Sequence, residues 1–236
     1  MADRRYGGPV EDKESGADGT VREWLRGLEV FGGPLAEFDP AGAPEEPVEL
    51  FLDWLREAVA AGVPEAHAMT LSTVGADGVP DARVLILKNV DSDGWQFAVH
   101  EQSPKGRQLT DRPGAALTFY WPLLGRQVRV RGPVVVAEAA ASAADLLARS
   151  VSARAEVLMG RQSGRLDDEA ERAREFAAAR RRIEAEPGLV SPGWTLRTLR
   201  ATEIEFWQAD KDRLHERLRY ERPGPDGPWE RHRLWP

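Results

Sequence analysis

Apolar positions change their spacing several times along the chain, and each change marks an element. "PVELFLDWLREAVAAG" puts Leu50, Phe51, Trp54, Leu55 and Ala58 at helical spacing, and Pro47 suits a first turn. "AMTLSTV", "ARVLILKNV" and "WQFAVHE" then read as short strands. "GADG" and "DSDG" separate them, and Asp-Gly between apolar runs signals a hairpin, so an antiparallel meander of three strands is predicted. "SPKGRQLTDRP" predicts a short helix with Ser103 as cap and Pro104 at its first position. "AALTFYW" and "RQVRVRGPVVVAE" predict two more strands, and residues 141–186 read as mostly helical. The second part of that stretch, "DDEAERAREFAAARRRIEAE", is acidic early and basic late, as a solvated helix with its dipole satisfied would be. "TEIEFWQ" and "RLHERLRYE" flank "ADKD" as a final hairpin, and "RHRLW" follows the turn-rich "RPGPDGP". The order suits a small closed or partly closed antiparallel β-barrel with flanking helices, an α+β fold.

Residues 1–46, rich in Gly, Pro, Asp and Glu, read as a largely irregular N-terminal extension. One exception is "TVREWLRGLEVF", where Val21, Trp24, Leu25 and Leu28 form a short apolar stripe. Residues 47–236 are expected to form a single domain, since 236 residues at 42% hydrophobic content suffice for one sizeable core. The net charge of -7 argues against a nucleic-acid partner and makes any anion site a local cluster on an acidic background. With no cysteine there is no disulfide, thiolate metal site or thiol nucleophile, and no metal site is expected. "MADRRYGGPVEDKESG" lacks the apolar run of a signal peptide, and no stretch approaches a membrane-spanning length. A cytoplasmic protein with no membrane partner is the expectation.

Such clusters recur. In "DRLHERLRY", Arg213, His215, Arg217 and Arg219 share one face of a strand, with Leu214, Leu218 and Tyr220 behind them. Two readings stay open: a cationic row awaiting an anion, or an edge strand whose arginines pair with Glu216, Glu221 and their neighbours. "SPKGR" brings Ser103, Lys105 and Arg107 to a helix start, where free N–H groups favour phosphate, though an ordinary capped helix has the same pattern. In "RVLILK", Arg83 and Lys88 fall on opposite faces of a strand. Gln127 in "GRQVRVR" carries an amide able both to donate and to accept, as the edge of a heterocycle requires.

These residues resemble a known family, the pyridoxine/pyridoxamine 5'-phosphate oxidases and their relatives, which are FMN-binding split barrels. "RVLILK", "SPKGRQL", "RQVRVRG", "RQS" and "EFWQADKDRLHERLRY" match in order, and the likeness runs from about residue 47 to the end. The resemblance implies a homodimer with FMN at its interface. It also implies oxidation of a small aromatic substrate by hydride transfer to FMN, with dioxygen taking the electrons. The stretch Arg83, Val84, Leu85, Ile86, Leu87 and Lys88 would then contact the flavin, and Ser103 and Lys105 the FMN phosphate. Gln127 would reach the ring edge, and Gln162, Ser163, Trp207 and Arg217 would complete the cofactor site, some from the second subunit. Arg213 and His215 would be the catalytic pair over the substrate, with Lys88 and Arg149 gripping a substrate anion. "FGGPLAEFDP" also appears in the closest relatives, without a chemical role assigned to it.

Three positions depart from the vitamin B6 enzymes. Pro104 stands where they place a second basic residue for the FMN phosphate. Asp145 replaces a tyrosine, and Ala153 a serine, that bind the substrate phosphate there. Losing a hydrogen bond to a charged group costs ~1.5–3 kcal/mol, so the anion site is altered in kind. Pyridoxine/pyridoxamine 5'-phosphate remains the first expectation. The alternative is a reduced ring carboxylate, as for the phenazine-biosynthesis flavin oxidases. From other classes come a non-catalytic flavin-binding module and a purely structural dimer.

Overall fold

The computed structural model describes residues 20–236, so the irregular run expected over residues 1–19, and with it the reading of the N-terminal residues as no signal peptide, lies outside the described residues. The first element, α1 (Val21–Arg26), is capped reciprocally by Thr20 and Glu23. Its stripe of Val21, Trp24 and Leu25, continued by Leu28, is exposed.

Helix α2 (Pro47–Ala60) buries Leu50, Phe51, Trp54 and Ala58, as its spacing predicts. Phe51 meets Trp95 and Phe119 edge-on at 5.5 and 4.9 Å, and Trp54 meets Phe206 at 5.2 Å. Aromatic pairs in this geometry add roughly 0.5–1.5 kcal/mol beyond the area they bury.

The strands are β1 (Ala68–Val74), β2 (Pro80–Ile86), β3 (Asn89–Asp91), β4 (Gly94–His100), β5 (Gly114–Trp121), β6 (Arg126–Val136), β7 (Trp194–Leu199), β8 (Glu203–Gln208), β9 (Glu216–Glu221) and β10 (Glu230–Arg233). The hydrogen-bonded order is β10-β9-β8-β6-β5-β1-β2, with β3-β4-β7 joining through β6. The eleven-residue β6 belongs to both parts: Arg126–Arg131 pair with β8, and Val134–Val136 pair with β7. Gly132 lies between, where a Cβ would collide with the Arg200 carbonyl, so the changeover needs a glycine. Every pairing is antiparallel, and the strands curl around one aromatic core. The structure is thus an antiparallel barrel with flanking helices.

Helices α3 (Pro104–Asp111), α4 (Ala139–Leu147), α5 (Val151–Met159) and α6 (Glu169–Ala185) complete the fold. The solvated α6 buries only Ala179 and Ile183, which pack with Ala155 of α5. Among the described residues no helix is long and apolar enough to cross a membrane.

Two expectations are corrected. "ARVLILKNV" is not one strand, and its neighbours do not form a three-strand meander. The chain leaves β2 at Leu87, whose N–H goes to the His67 carbonyl, and Lys88 donates its own N–H to Gln96. β2 therefore pairs with β1 alone, while β3 pairs with β4, whose other neighbour is β7. Nor does "RLHERLRYE" extend as a strand from Arg213. The Asp210 carboxylate accepts the N–H groups of Asp212 and Leu214, and Asp210 donates its N–H to His215 Nδ1. These local bonds hold a turn in place of a ladder, Arg213 adopts φ 68°, and β9 begins at Glu216. Arg213 and His215 thus leave the shared row, which keeps Arg217 and Arg219. β9 is also no edge strand, since it lies between β8 and β10.

Candidate functional site

The expected site residues fall into two groups on different parts of the barrel. The first gathers around the exposed face of β2 and the start of α3. Among the described residues strand β2 has one strand neighbour, and Val84 and Ile86 stand exposed on it as an apolar shelf. Arg83 points the other way, across β1, where Nη1 donates to Thr73 Oγ1 at 2.6 Å and Nη2 pairs with Asp81. Gln108 accepts from Thr73 at 2.5 Å and braces the same network.

α3 is pressed against the end of β4, because a Cβ at Gly106 would run into the carbonyls of His100 and Glu101. Ser103 caps it, donating to the His100 carbonyl at 2.6 Å and accepting the Gly106 N–H at 3.2 Å. This arrangement aims Lys105 inward. The residue is only 7% exposed, and its ammonium donates to Gln162 Oε1 at 2.7 Å and to Ser103 Oγ at 3.3 Å. Burial, and then the nearby Arg83 charge, lower its pKa below the usual lysine range. Two neighbouring cations with few carboxylates are a site that an anion would relieve.

Two adjoining cavities open here. One, of about 400 Å³, is lined by Arg83, Pro104, Lys105, Gln162 and Ser163. The other, of about 370 Å³, is lined by Ile86, Lys88, His100, Arg149 and Trp194. Val84, Leu85, Lys105 and Gln162 border both. Burial, then the charge of Lys105, hold the His100 imidazole below its ordinary pKa, so its ring is neutral at neutral pH. Ser103 and Leu87, also expected at the cofactor, line neither cavity; Ser103 is fully buried in its capping role.

One of the sequence departures lies against two residues that line the second cavity, Lys88 and Trp194. Asp145 takes Lys88 Nζ at 3.1 Å and the Trp194 indole N–H at 2.8 Å. The Arg149 guanidinium lies 4.3 Å over the Trp194 ring. One of the two cations expected to grip a substrate anion is therefore already paired. Ala153 sits in the first turn of α5, its N–H held by Ser150 Oγ at 3.3 Å.

The second group lies on the outer face of β6, β8 and β9. Gln127, Trp207 and Arg217 are direct cross-strand partners and form one row. The His215 ring lies 4.8 Å from Trp207, and Nδ1 accepts the Asp210 N–H at 2.9 Å, so a neutral ring carries its proton on Nε2. Phe31 completes an aromatic corner, 5.9 Å from Trp207 and 6.2 Å from His215. Sequence reasoning missed Phe31; its signal was the adjacent Gly-Gly in "FGGPLAEFDP". Arg213 is exposed in the turn beside this corner. None of Gln127, Trp207, Arg213, His215 and Arg217 lines either cavity. Along the sheet, β1, β5, β6 and β8 separate β2 from β9, so the two groups sit on well-separated strands of one chain.

Comparison with known proteins follows the same division. Residues 55–186 match the family model described as pyridoxamine 5'-phosphate oxidase. Residues 194–236, which hold Trp207, Arg213, His215 and Arg217, match the pyridoxine 5'-phosphate oxidase C-terminal dimerisation region. A pyridoxine/pyridoxamine 5'-phosphate oxidase of Thermosynechococcus vestitus is 43% identical over 197 residues, 82% of this chain and 90% of its own. One from Pseudomonas paraeruginosa is 41% identical over 198 residues, 83% of this chain and 91% of its own. Among solved structures, PhzG from Burkholderia lata 383, in complex with tetrahydrophenazine-1-carboxylic acid, superposes with a TM-score of 0.78. It is 32% identical and covers 86% of this chain and 99% of its own. Matching family models over both halves and sharing this barrel, the chain belongs to the pyridoxamine 5'-phosphate oxidase family.

Proposed function

We propose that two copies of this chain bind FMN in the seam between them and oxidise a small heteroaromatic substrate, pyridoxine 5'-phosphate or pyridoxamine 5'-phosphate. The observation that carries this reading is the pair of adjoining cavities, where Arg83, Lys105, Gln162 and Ser163 meet an apolar shelf of Val84 and Ile86. The donor set fits the group: a buried lysine at a helix start beside a half-buried arginine suits a phosphate, and an open apolar strand suits a flat ring. When bound, FMN supplies the redox step, taking a hydride equivalent from the substrate and passing its electrons to dioxygen.

This chain's own residues bind and orient. Arg83 and Lys105 hold the phosphate, and Gln127 and Gln162 contact the ring and its polar chain. Trp207, with Phe31 beside it, excludes water from the substrate. Arg213 covers the ring and His215 exchanges a proton at Nε2, while Lys88 and Arg149 hold the substrate anion. The separation of the two residue groups in one chain supports a site built from both copies, as does the match of residues 194–236 to a dimerisation region.

A second reading has its own observation. Asp145 neutralises Lys88, which suits a monoanionic ring carboxylate better than a phosphate dianion. The likeness to PhzG supports the same alternative.

The test is anaerobic flavin reduction by the purified protein. Pyridoxine 5'-phosphate and pyridoxamine 5'-phosphate should bleach the yellow chromophore, and a dihydrophenazine carboxylate should do so only slowly. Bleaching by the carboxylate alone selects the second reading. A yellow protein that no ring bleaches is a carrier, and a colourless one with no affinity for FMN contradicts both readings.

A further inference from the structure

One carboxylate on the outer face of the barrel does not follow the pattern of its strand. Along β8, alternation sends Ile204, Phe206 and Gln208 into the core and Glu203, Glu205 and Trp207 outward. Glu203 and Trp207 are partly exposed, as outward residues are, yet Glu205 is 2% exposed. A layer of guanidinium groups covers it. Arg129 and Arg219 are its direct cross-strand partners, and they donate to Oε2 at 2.8 and 3.1 Å. Arg217, from the neighbouring row, donates Nε and Nη2 to Oε1 at 3.1 and 2.8 Å.

Burying a carboxylate is costly unless it is paired and hydrogen-bonded, and both Glu205 oxygens are so paired, although Nε of Arg129 and of Arg219 stays buried without a partner. Burial alone would raise the Glu205 pKa, but hydrogen bonds from Arg217 and Arg219 and the charge of Arg129 reverse the direction and keep it ionised. Three guanidinium groups converge on this one carboxylate, while Glu203, two residues back on the same face, pairs at 3.5 and 3.8 Å with Arg131 and Arg219.

What Glu205 does is fix Arg217. Its two bonds to Nε and Nη2 are joined by a third, from Nη1 to the Trp235 carbonyl at 2.8 Å. Three of the five N–H groups of the guanidinium are engaged and two remain for a ligand, on a plane that can no longer turn. The same row holds Trp207 and Gln127, so the free donors lie beside the other residues of the second group.

We propose that Glu205 is the positioning residue of the cofactor site's second half, holding Arg217 in the one orientation that meets FMN. The inference rests on the reading of Arg217 as a cofactor contact. It goes beyond that reading, because a negative charge in an anion site is expected on field grounds to weaken binding. Glu205 strengthens it by geometry.

The two effects have opposite signs, which makes the test decisive. FMN dissociation constants are measured by flavin fluorescence quenching for the wild type, Glu205→Gln, Arg217→Ala and the double variant. Glu205→Gln is expected to weaken FMN roughly tenfold, the scale on which loss of an orienting partner is felt. In the Arg217→Ala background the same change is expected to add nothing, since Glu205 acts through Arg217. Tighter binding in Glu205→Gln would show that only the field matters and would overturn the proposal. So would full additivity in the double variant, the mark of a merely structural role.

Should Glu205→Gln fail to fold with its three arginines unbalanced, Glu205→Asp keeps the charge and withdraws the carboxylate by one methylene. It is expected to fold and to bind FMN several-fold more weakly, roughly as half of a lost charged hydrogen bond predicts; wild-type affinity in that variant overturns the proposal. If Arg217→Ala keeps wild-type FMN affinity, the cofactor role of Arg217 falls and this inference with it. If only the Glu205 variants keep it, the inference alone falls.

Discussion

Lys88, in the lining of the second cavity, forms an ion pair with Asp145 at 3.1 Å, and the Trp194 indole N–H, at 2.8 Å, fixes the carboxylate from its other oxygen. Asp145→Asn keeps the hydrogen-bonding shape and releases the Lys88 charge. The KM for pyridoxine 5'-phosphate should fall about tenfold, corresponding to about 1.4 kcal/mol, with a smaller change for a ring monocarboxylate. Steady-state kinetics on both substrates check the ratio, and an unchanged ratio would remove Asp145 from substrate selection.

Lys105 carries a pH dependence. Its pKa is lowered by burial and by Arg83, and a bound anion favours the protonated form. The sign follows: FMN affinity declines as pH rises through that lowered pKa, at lower pH than an exposed lysine would titrate. Lys105→Arg should abolish the decline, because a guanidinium stays charged throughout. Fluorescence titration of FMN from neutral to alkaline pH is the check.

The proposed catalytic pair should separate binding from turnover. His215→Ala and Arg213→Ala are expected to retain FMN while lowering kcat about 10²-fold or more, the contribution of a positioned proton-transfer group. Loss of the yellow colour from either purified variant would place these residues in the cofactor site itself.

The core makes a stability prediction. Trp54 packs edge-on against Phe38 and Phe206, and the Arg126 guanidinium, 2% exposed, lies 4.2 Å over its ring. Trp54→Ala should cost ~3–5 kcal/mol in denaturant unfolding, and Trp54→Phe markedly less.

Much of the barrel was legible because its strands alternate and its turns carry Asp-Gly, as in "GADG" between β1 and β2. Period alone does not report where a strand changes partner. "ARVLILKNV" reads as one apolar run, yet Leu87 and Lys88 spend their N–H groups on His67 and Gln96 and divide it. The row from Arg213 to Arg219 was misread for a related reason: Asp210 competes for the backbone with its own side chain, a contact invisible to alternation. In the first group, Arg83, Lys88, Lys105, Arg149, Gln162 and Ser163 do converge on two cavities, whereas Ser103 turns inward to cap its helix. Glu205 and Phe31 could not be singled out, since each acquires its neighbours only when distant strands and loops pack together.

The claim that the cofactor site takes one residue group from each of two copies is tested most directly by complementation. Lys105→Gln damages the β2–α3 group and Arg217→Ala damages the β9 group, so each variant alone should bind little FMN. A mixed dimer of the two would combine both lesions in one site and leave the other site intact. The account predicts that unfolding and refolding the two variants together restores tight FMN binding in the mixed dimers, at one site per dimer. A mixture that binds no more FMN than the separate variants would contradict it.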